Sequence, residues 1–223
     1  MGTVFHSRLN KILNNWFSPL LKSHSFKKRG ETYIRTNHEL AYLIDIQRSR
    51  WNDEREAQFT LNCGIYVPGV VSTYLHKTEP VKTKIEDCTL TARVGMLSDT
   101  QRDEWWLLCF DDEPEQEDER IGMDIQNQVK QIVLPFLARF ETRDDIIDFL
   151  VSPRSKELRF VRPQSEAQCL AYAAILLSIL GRPEKCTSIL NAAIEVASNT
   201  PIQEVVSTLR DRIKGPKNCY SSA

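Results

Sequence analysis

The chain has 223 residues, of which 41% are hydrophobic and 26% charged, with only 8 Gly and 6 Cys. That length can bury a sizeable core, and the composition excludes collagen-like, disulfide-scaffold and largely disordered classes. Twenty-nine basic against 30 acidic residues leave a net charge of −1, without the basic excess of a dedicated nucleic-acid binder, although residues 1–110 carry a formal +3 and residues 111–223 a formal −4.

Phe5, Leu9, Ile12, Leu13, Trp16 and Leu20 recur at three- and four-residue steps and predict an amphipathic helix ending near Ser23. The period then changes to two. Residues 26–35, 39–50 and 57–67 alternate β-branched or aromatic residues with polar ones, and the short breaks Thr36-Asn37-His38 and Trp51-Asn52-Asp53-Glu54 predict hairpin connections, hence an antiparallel meander. Residues 68–88, with Pro68, Gly69 and Pro80 and little periodicity, read as a long loop. Two further strands are expected over 89–97 and 104–110.

Asp111 to Glu119 holds seven acids in nine residues. This run reads as a solvated loop leading into a helix, whose positive N-terminal end favours carboxylates. An apolar stripe from Ile125 to Phe140 predicts that helix, with an interruption at Pro135, which lacks a backbone donor. Thr142 and Asp145 have the spacing of a capping box for a short helix. The segment 152–163, bounded by Pro153 and Pro163 and carrying four basic residues, reads as a linker. Helices are expected at about 164–180, 183–198 and 201–213. The fold class is therefore α+β: an N-terminal helix, an antiparallel sheet of about five strands and a helical C-terminal half, divided as an α+β domain over 1–150 and a helical region over 151–223.

The six cysteines, Cys63, Cys88, Cys109, Cys169, Cys186 and Cys219, show no CxxC or zinc spacing. The N-terminus lacks a signal-peptide core, and the longest apolar stretch, Cys169 to Leu180, is 12 residues where a membrane span needs ~20. The chain reads as cytoplasmic, with reduced thiols and no membrane contact. Nucleotide-binding and hydrolase fingerprints such as GxGxxG, GxSxG and HExxH are absent, and His6, His24, His38 and His76 show no metal spacing. No cofactor or metal is expected. Cys63, between Asn62 and Gly64, is the most suggestive thiol, yet its place in an apolar strand favours a core role over a nucleophile.

Strand parity says more. Tyr42, Ile44 and Ile46 share one face of their strand, as do Phe59, Leu61, Cys63 and Ile65 of the next, so Asp45, Gln47, Thr60 and Asn62 fall on the opposite face. If the two strands are neighbours, these groups gather on one side of the sheet with Lys28 nearby. The amides of Gln47 and Asn62 would offer donors and acceptors together, suited to a peptide backbone, a base edge or a sugar. The alternative is a merely solvated or internally bonded face. Lys27, Lys28, Arg29, Arg35, Arg48, Arg50 and Arg55, interleaved with Tyr33, Tyr42 and Trp51, also have the ingredients of a nucleic-acid surface.

The succession Phe26-Lys27-Lys28-Arg29-Gly30, Ile44-Asp45-Ile46-Gln47-Arg48-Ser49 and Phe59 to Tyr66, followed by Trp105-Trp106 and Leu134-Pro135-Phe136, resembles the bacterial domain-of-unknown-function family numbered 4304 over residues of about 5–150. The resemblance implies a fold and no activity. Ala174, Gly181, Cys186, Leu190 and Ala193 resemble the packing positions of one tetratricopeptide hairpin at about 168–198, with Cys186 where Ala is usual and Ser198 where Pro is usual. The function expected is that of a non-enzymatic protein-binding module, by analogy with immunity proteins that neutralise toxins. Nucleic-acid binding or processing on the basic, polar sheet face is the alternative. Candidate binding residues are Lys28, Arg29, Asp45, Gln47, Asn62 and Trp105, and Glu115, Glu117, Asp118 and Glu119 form a candidate acidic loop for a basic partner.

Overall fold

The computed structural model describes residues 3–54, 56–109, 114–153 and 158–214. Arg55, Asp111 to Glu113 of the acidic run, Arg154 and Lys156 of the expected linker, and Cys219 lie outside the described residues. Helix α1 covers 3–23 as α-helix over Thr3–Ile12, a widened π turn over Leu13–Phe17 and α-helix over Ser18–Ser23. The widening has a local cause. Pro19 has no N–H for the carbonyl of Asn15, four residues back, and that carbonyl lies inside the π turn. The same device recurs in α4, helical over Pro114–Gln128 and Leu134–Leu137 with a π turn over Val129–Val133, so the interruption expected at Pro135 is a widened turn four residues earlier. The two helices pack together, and the Trp16 carbonyl in the π turn of α1 accepts from Gln126 Nε2 at 2.8 Å.

Among the described residues the sheet has six strands: β1 (Lys27–Arg29), β2 (Thr32–Thr36), β3 (Ala41–Arg48), β4 (Glu56–Tyr66), β5 (Leu90–Arg93) and β6 (Trp106–Cys109). Every pairing is antiparallel. The order is β1-β2-β3-β4, and the far edge of β4 is shared, with β6 along Glu56 to Phe59 and β5 along Asn62 to Ile65. The stretch 26–35, expected as one strand, is a hairpin because Gly30 at φ +67° supplies the left-handed turn residue. Residues 89–97 are strand only to Arg93, after which Val94–Leu97 makes one helical turn, α3.

The expected loop 68–88 contains helix α2 (Val70–Leu75) and a 3₁₀ turn over Ile85–Asp87. The Glu79 carboxylate ties this region down. It accepts from the Gly69 N–H at 2.8 Å and from the hydroxyls of Tyr66 and Ser72.

Helix α5 (Arg143–Val151) starts with the expected capping box: the Asp145 N–H donates to Thr142 Oγ1, and the Thr142 N–H to Asp145 Oδ2. Helices α6 (Glu166–Ile179), α7 (Pro183–Ala197) and α8 (Gln203–Lys214) follow. Ala174, Cys186, Leu190 and Ala193 are buried in the α6–α7 hairpin. These helices share one hydrophobic cluster with α1, α4 and the sheet. Tyr172 of α6 meets Tyr74 of α2 edge-on at 5.1 Å, and Arg212 donates to the Tyr74 carbonyl at 2.7 Å. The stretch before α6 is fastened to the sheet as well, since Arg162 and Thr91 exchange both backbone hydrogen bonds and Val161 is buried. Among the described residues no helix is long and apolar enough to cross a membrane.

Candidate functional site

The register of β3 on β4 sets Asp45 opposite Asn62 and Gln47 opposite Thr60, one step out of phase with the apolar pairs Ile44–Cys63 and Ile46–Leu61. Period two therefore sends the polar set to one face and the apolar set to the other. The apolar face is closed by α1 and α4. On the polar face a second, small cluster of Ala41, Leu43 and Cys88 covers one end. Gly64 makes that cover close-fitting, because a Cβ there would stand 2.8 Å from Cys88 Sγ and 2.9 Å from Ile85 Cδ1. The Ile85–Asp87 turn thus becomes a wall, and beyond it the polar face opens as a cleft of about 630 Å³. The far wall is the stretch containing Phe160, Arg162 and Gln164.

The floor is a connected network. Gln47 Oε1 accepts from Asn62 Nδ2 and from Arg93 Nη2, both at 2.9 Å. Arg93 Nη1 donates to Asp103 Oδ2 at 2.6 Å, and its guanidinium lies over the Trp105 ring at 5.0 Å. Asp45 Oδ1 accepts from Thr32 Oγ1 at 2.7 Å. Burial pushes the Asp45 carboxyl above its ordinary value, the Thr32 bond opposes this, and the Glu86 and Glu31 charges add to it. The cleft thus presents amides, carboxylates and guanidinium groups fixed by β3, β4 and β5.

The structure brings together Asp45, Gln47 and Asn62, and it joins Trp105 to them through Arg93. Arg29 shares their face by register, through Thr32 and Asp45, but it sits on the exposed edge strand outside the cleft. Lys28 is not nearby, contrary to expectation. Its cross-strand partner is Tyr33, whose buried ring belongs to the opposite face, and Lys28 Nζ lies 5.8 Å from that ring. Arg93 and Asp103 escaped the sequence reading. Period two in Leu90-Thr91-Ala92-Arg93 was the available signal for Arg93, since Leu90 and Ala92 are its buried partners.

The acidic candidates are not a loop. Glu115, Glu117, Asp118 and Glu119 all lie in the first turns of α4. Asp118 is buried and takes a forked bond from Arg8, at 2.7 and 3.0 Å, while Arg8 also donates to the Cys109 carbonyl. Arg120 forks onto Glu117 and holds its carboxyl below the ordinary value. Glu115 lies 3.6 Å from Lys11, and Glu119 is exposed. A smaller hollow of about 400 Å³ lies between β6 and α4, where Trp106 Nε1 donates to Asp124 Oδ2 at 2.6 Å.

Burial pushes the Cys63 thiol up to about 12, and its Sγ makes a long 3.6 Å contact as donor to the Ala92 carbonyl, so it is held as a core thiol rather than a thiolate. The described residues contain no group of three His, Cys, Asp or Glu side chains placed to hold a metal ion.

The family model named Domain of unknown function (DUF4304) matches residues 17–139, more than half of the chain. No curated protein and no solved structure matches it.

Proposed function

The chain belongs to the DUF4304 family of domains of unknown function, and on the geometry of its sheet we propose that it is a non-enzymatic protein-binding module. One observation carries this reading. The polar cleft continues past Thr91 and Arg162 into an adjoining cavity of about 520 Å³ that reaches Gln168 and Tyr172. The result is an open trough with donors and acceptors spaced along it, a shape suited to an extended polypeptide rather than an enclosed small molecule. Such a trough takes a polypeptide partner. In an immunity-type complex it would be a toxin held in a stoichiometric assembly.

Two features weigh against the nucleic-acid alternative. Tyr33 and Tyr42 are core residues, bonded to Ser18 and to the Phe140 carbonyl, so they offer no face for stacking a base. Asp45, Glu86 and Asp103 also outnumber Arg93 and Arg162 in the cleft, the reverse of what phosphate contacts require. The test is capture of the native complex by the tagged full chain, followed by native mass spectrometry. A polypeptide retained by the wild type and by Glu119→Gln, and lost from the Gln47→Ala, Asn62→Ala double variant, is the expected result. A nucleic acid recovered in place of a polypeptide overturns the reading.

A further inference from the structure

We propose that the floor of this cleft is a seat for a basic side chain, arginine or lysine, of the partner polypeptide, with the carboxylates of Asp45 and Glu86 as its anions. The proposal rests on the peptide-binding reading and adds the chemistry of the residue recognised.

It follows from an accounting of charge around the cleft. Arg93 holds Asp103 at 2.6 Å, Lys77 holds Asp87 at 2.9 Å and Arg48 holds Glu31, while Arg162 on the far wall has no carboxylate within 4 Å among the described residues and so neutralises neither remaining acid. Asp45 and Glu86 are left over. Among the described residues neither has a cationic nitrogen within 4 Å. Glu86 is exposed on the wall, whereas Asp45 is half-buried on the floor with Thr32 as its one side-chain donor.

A half-buried carboxylate facing a second carboxylate is an unfavourable arrangement in the free protein. Burial and the Glu86 charge both raise its proton affinity. An incoming guanidinium or ammonium would remove that penalty on binding, and a penalty present only in the unbound state strengthens association. A bare divalent ion fits less well. Calcium takes six to eight oxygen ligands, and the neighbouring Gln47 oxygen already accepts two donors. The apolar side chains of Ile85, Met96 and Phe160 line the same cleft and would pack against the methylene stem of the basic residue.

Two probes decide the matter: an acetylated, amidated pentapeptide of alanine with one central arginine, and the same peptide with citrulline, which keeps the shape and removes the charge. Each is titrated into the isotope-labelled full chain while the side-chain amide signals of Gln47 and Asn62 are followed by NMR. The arginine peptide should move these signals saturably and bind about tenfold tighter or better than the citrulline peptide, a difference of about 1.4 kcal/mol. Asp45→Asn should abolish the preference, and the exposed Glu86→Gln should weaken it. Equal binding of the two peptides overturns the cation seat while leaving the peptide groove standing. Signals that move with neither peptide overturn the seat and the groove together.

Discussion

Strands β3 and β4 present two faces built from alternate residues of the same two segments, and the faces differ in how they are finished. On one, Tyr42, Ile44, Ile46, Phe59, Leu61, Cys63 and Ile65 disappear under helices into the main core. On the other, only the end around Leu43 and Gly64 is covered, and Asp45, Gln47 and Asn62 floor an open cleft. The covered face answers to packing, where lost contacts and cavities set the energetic scale. The open face answers to hydrogen bonding and charge, where most groups are partnered and one carboxylate is held at a disadvantage. On the proposed reading, stability and recognition fall to residues adjacent in sequence.

Mutations on the two faces should separate accordingly. Phe59→Ala, which empties a fully buried site stacked on Trp106 at 5.4 Å, should lower the unfolding free energy by about 3–5 kcal/mol in a urea titration. Asp118→Ala should cost about 3 kcal/mol in the same assay, because it strands the Arg8 guanidinium, whose side chain is only 12% exposed. Glu119→Gln, one residue along, should change stability by less than about 0.5 kcal/mol; a large effect there would restore the acidic run as one unit.

Asn62→Ala should cost below about 1 kcal/mol. Gln47 Oε1 keeps Arg93 as a donor, so no acceptor is orphaned. Asp45→Asn should leave the melting temperature unchanged or higher at neutral pH. Since the folded carboxyl is raised above the ordinary value of 3.8, ionisation opposes folding as pH rises through that raised value. The variant's advantage should therefore vanish on acidification below the ordinary value, where the carboxyl is protonated in both states. An advantage that persists in acid would contradict the burial argument.

Much of this contrast was legible as periodicity. The alternation over 39–50 and 57–67 located β3 and β4, each to within about two residues at its ends, and with them the shared face of Gln47 and Asn62. The Thr142–Asp145 spacing located the start of α5 for an equally local reason. What escaped depended on distant partners. Val70–Leu75 is rich in β-branched residues, which favour strands, and it is helical where Tyr74 packs on Tyr172, almost a hundred residues away. Asp118 read as one of seven solvated acids because Arg8, 110 residues earlier, carries no local mark of the pairing. Arg162 enters the cleft only because its backbone pairs with Thr91, so the far wall of the site could not be placed from local pattern.

The claim that the polar face serves recognition and the apolar face stability is tested most directly by measuring both properties on the Gln47→Ala, Asn62→Ala double variant. Thermal unfolding and the arginine-peptide titration, followed by calorimetry because the variant lacks both side-chain amides, should be run on the same preparation. The account predicts a melting temperature within about 4 °C of wild type and an affinity for the peptide at least about tenfold weaker. A melting temperature that falls well beyond that range while peptide affinity stays at the wild-type value would contradict it.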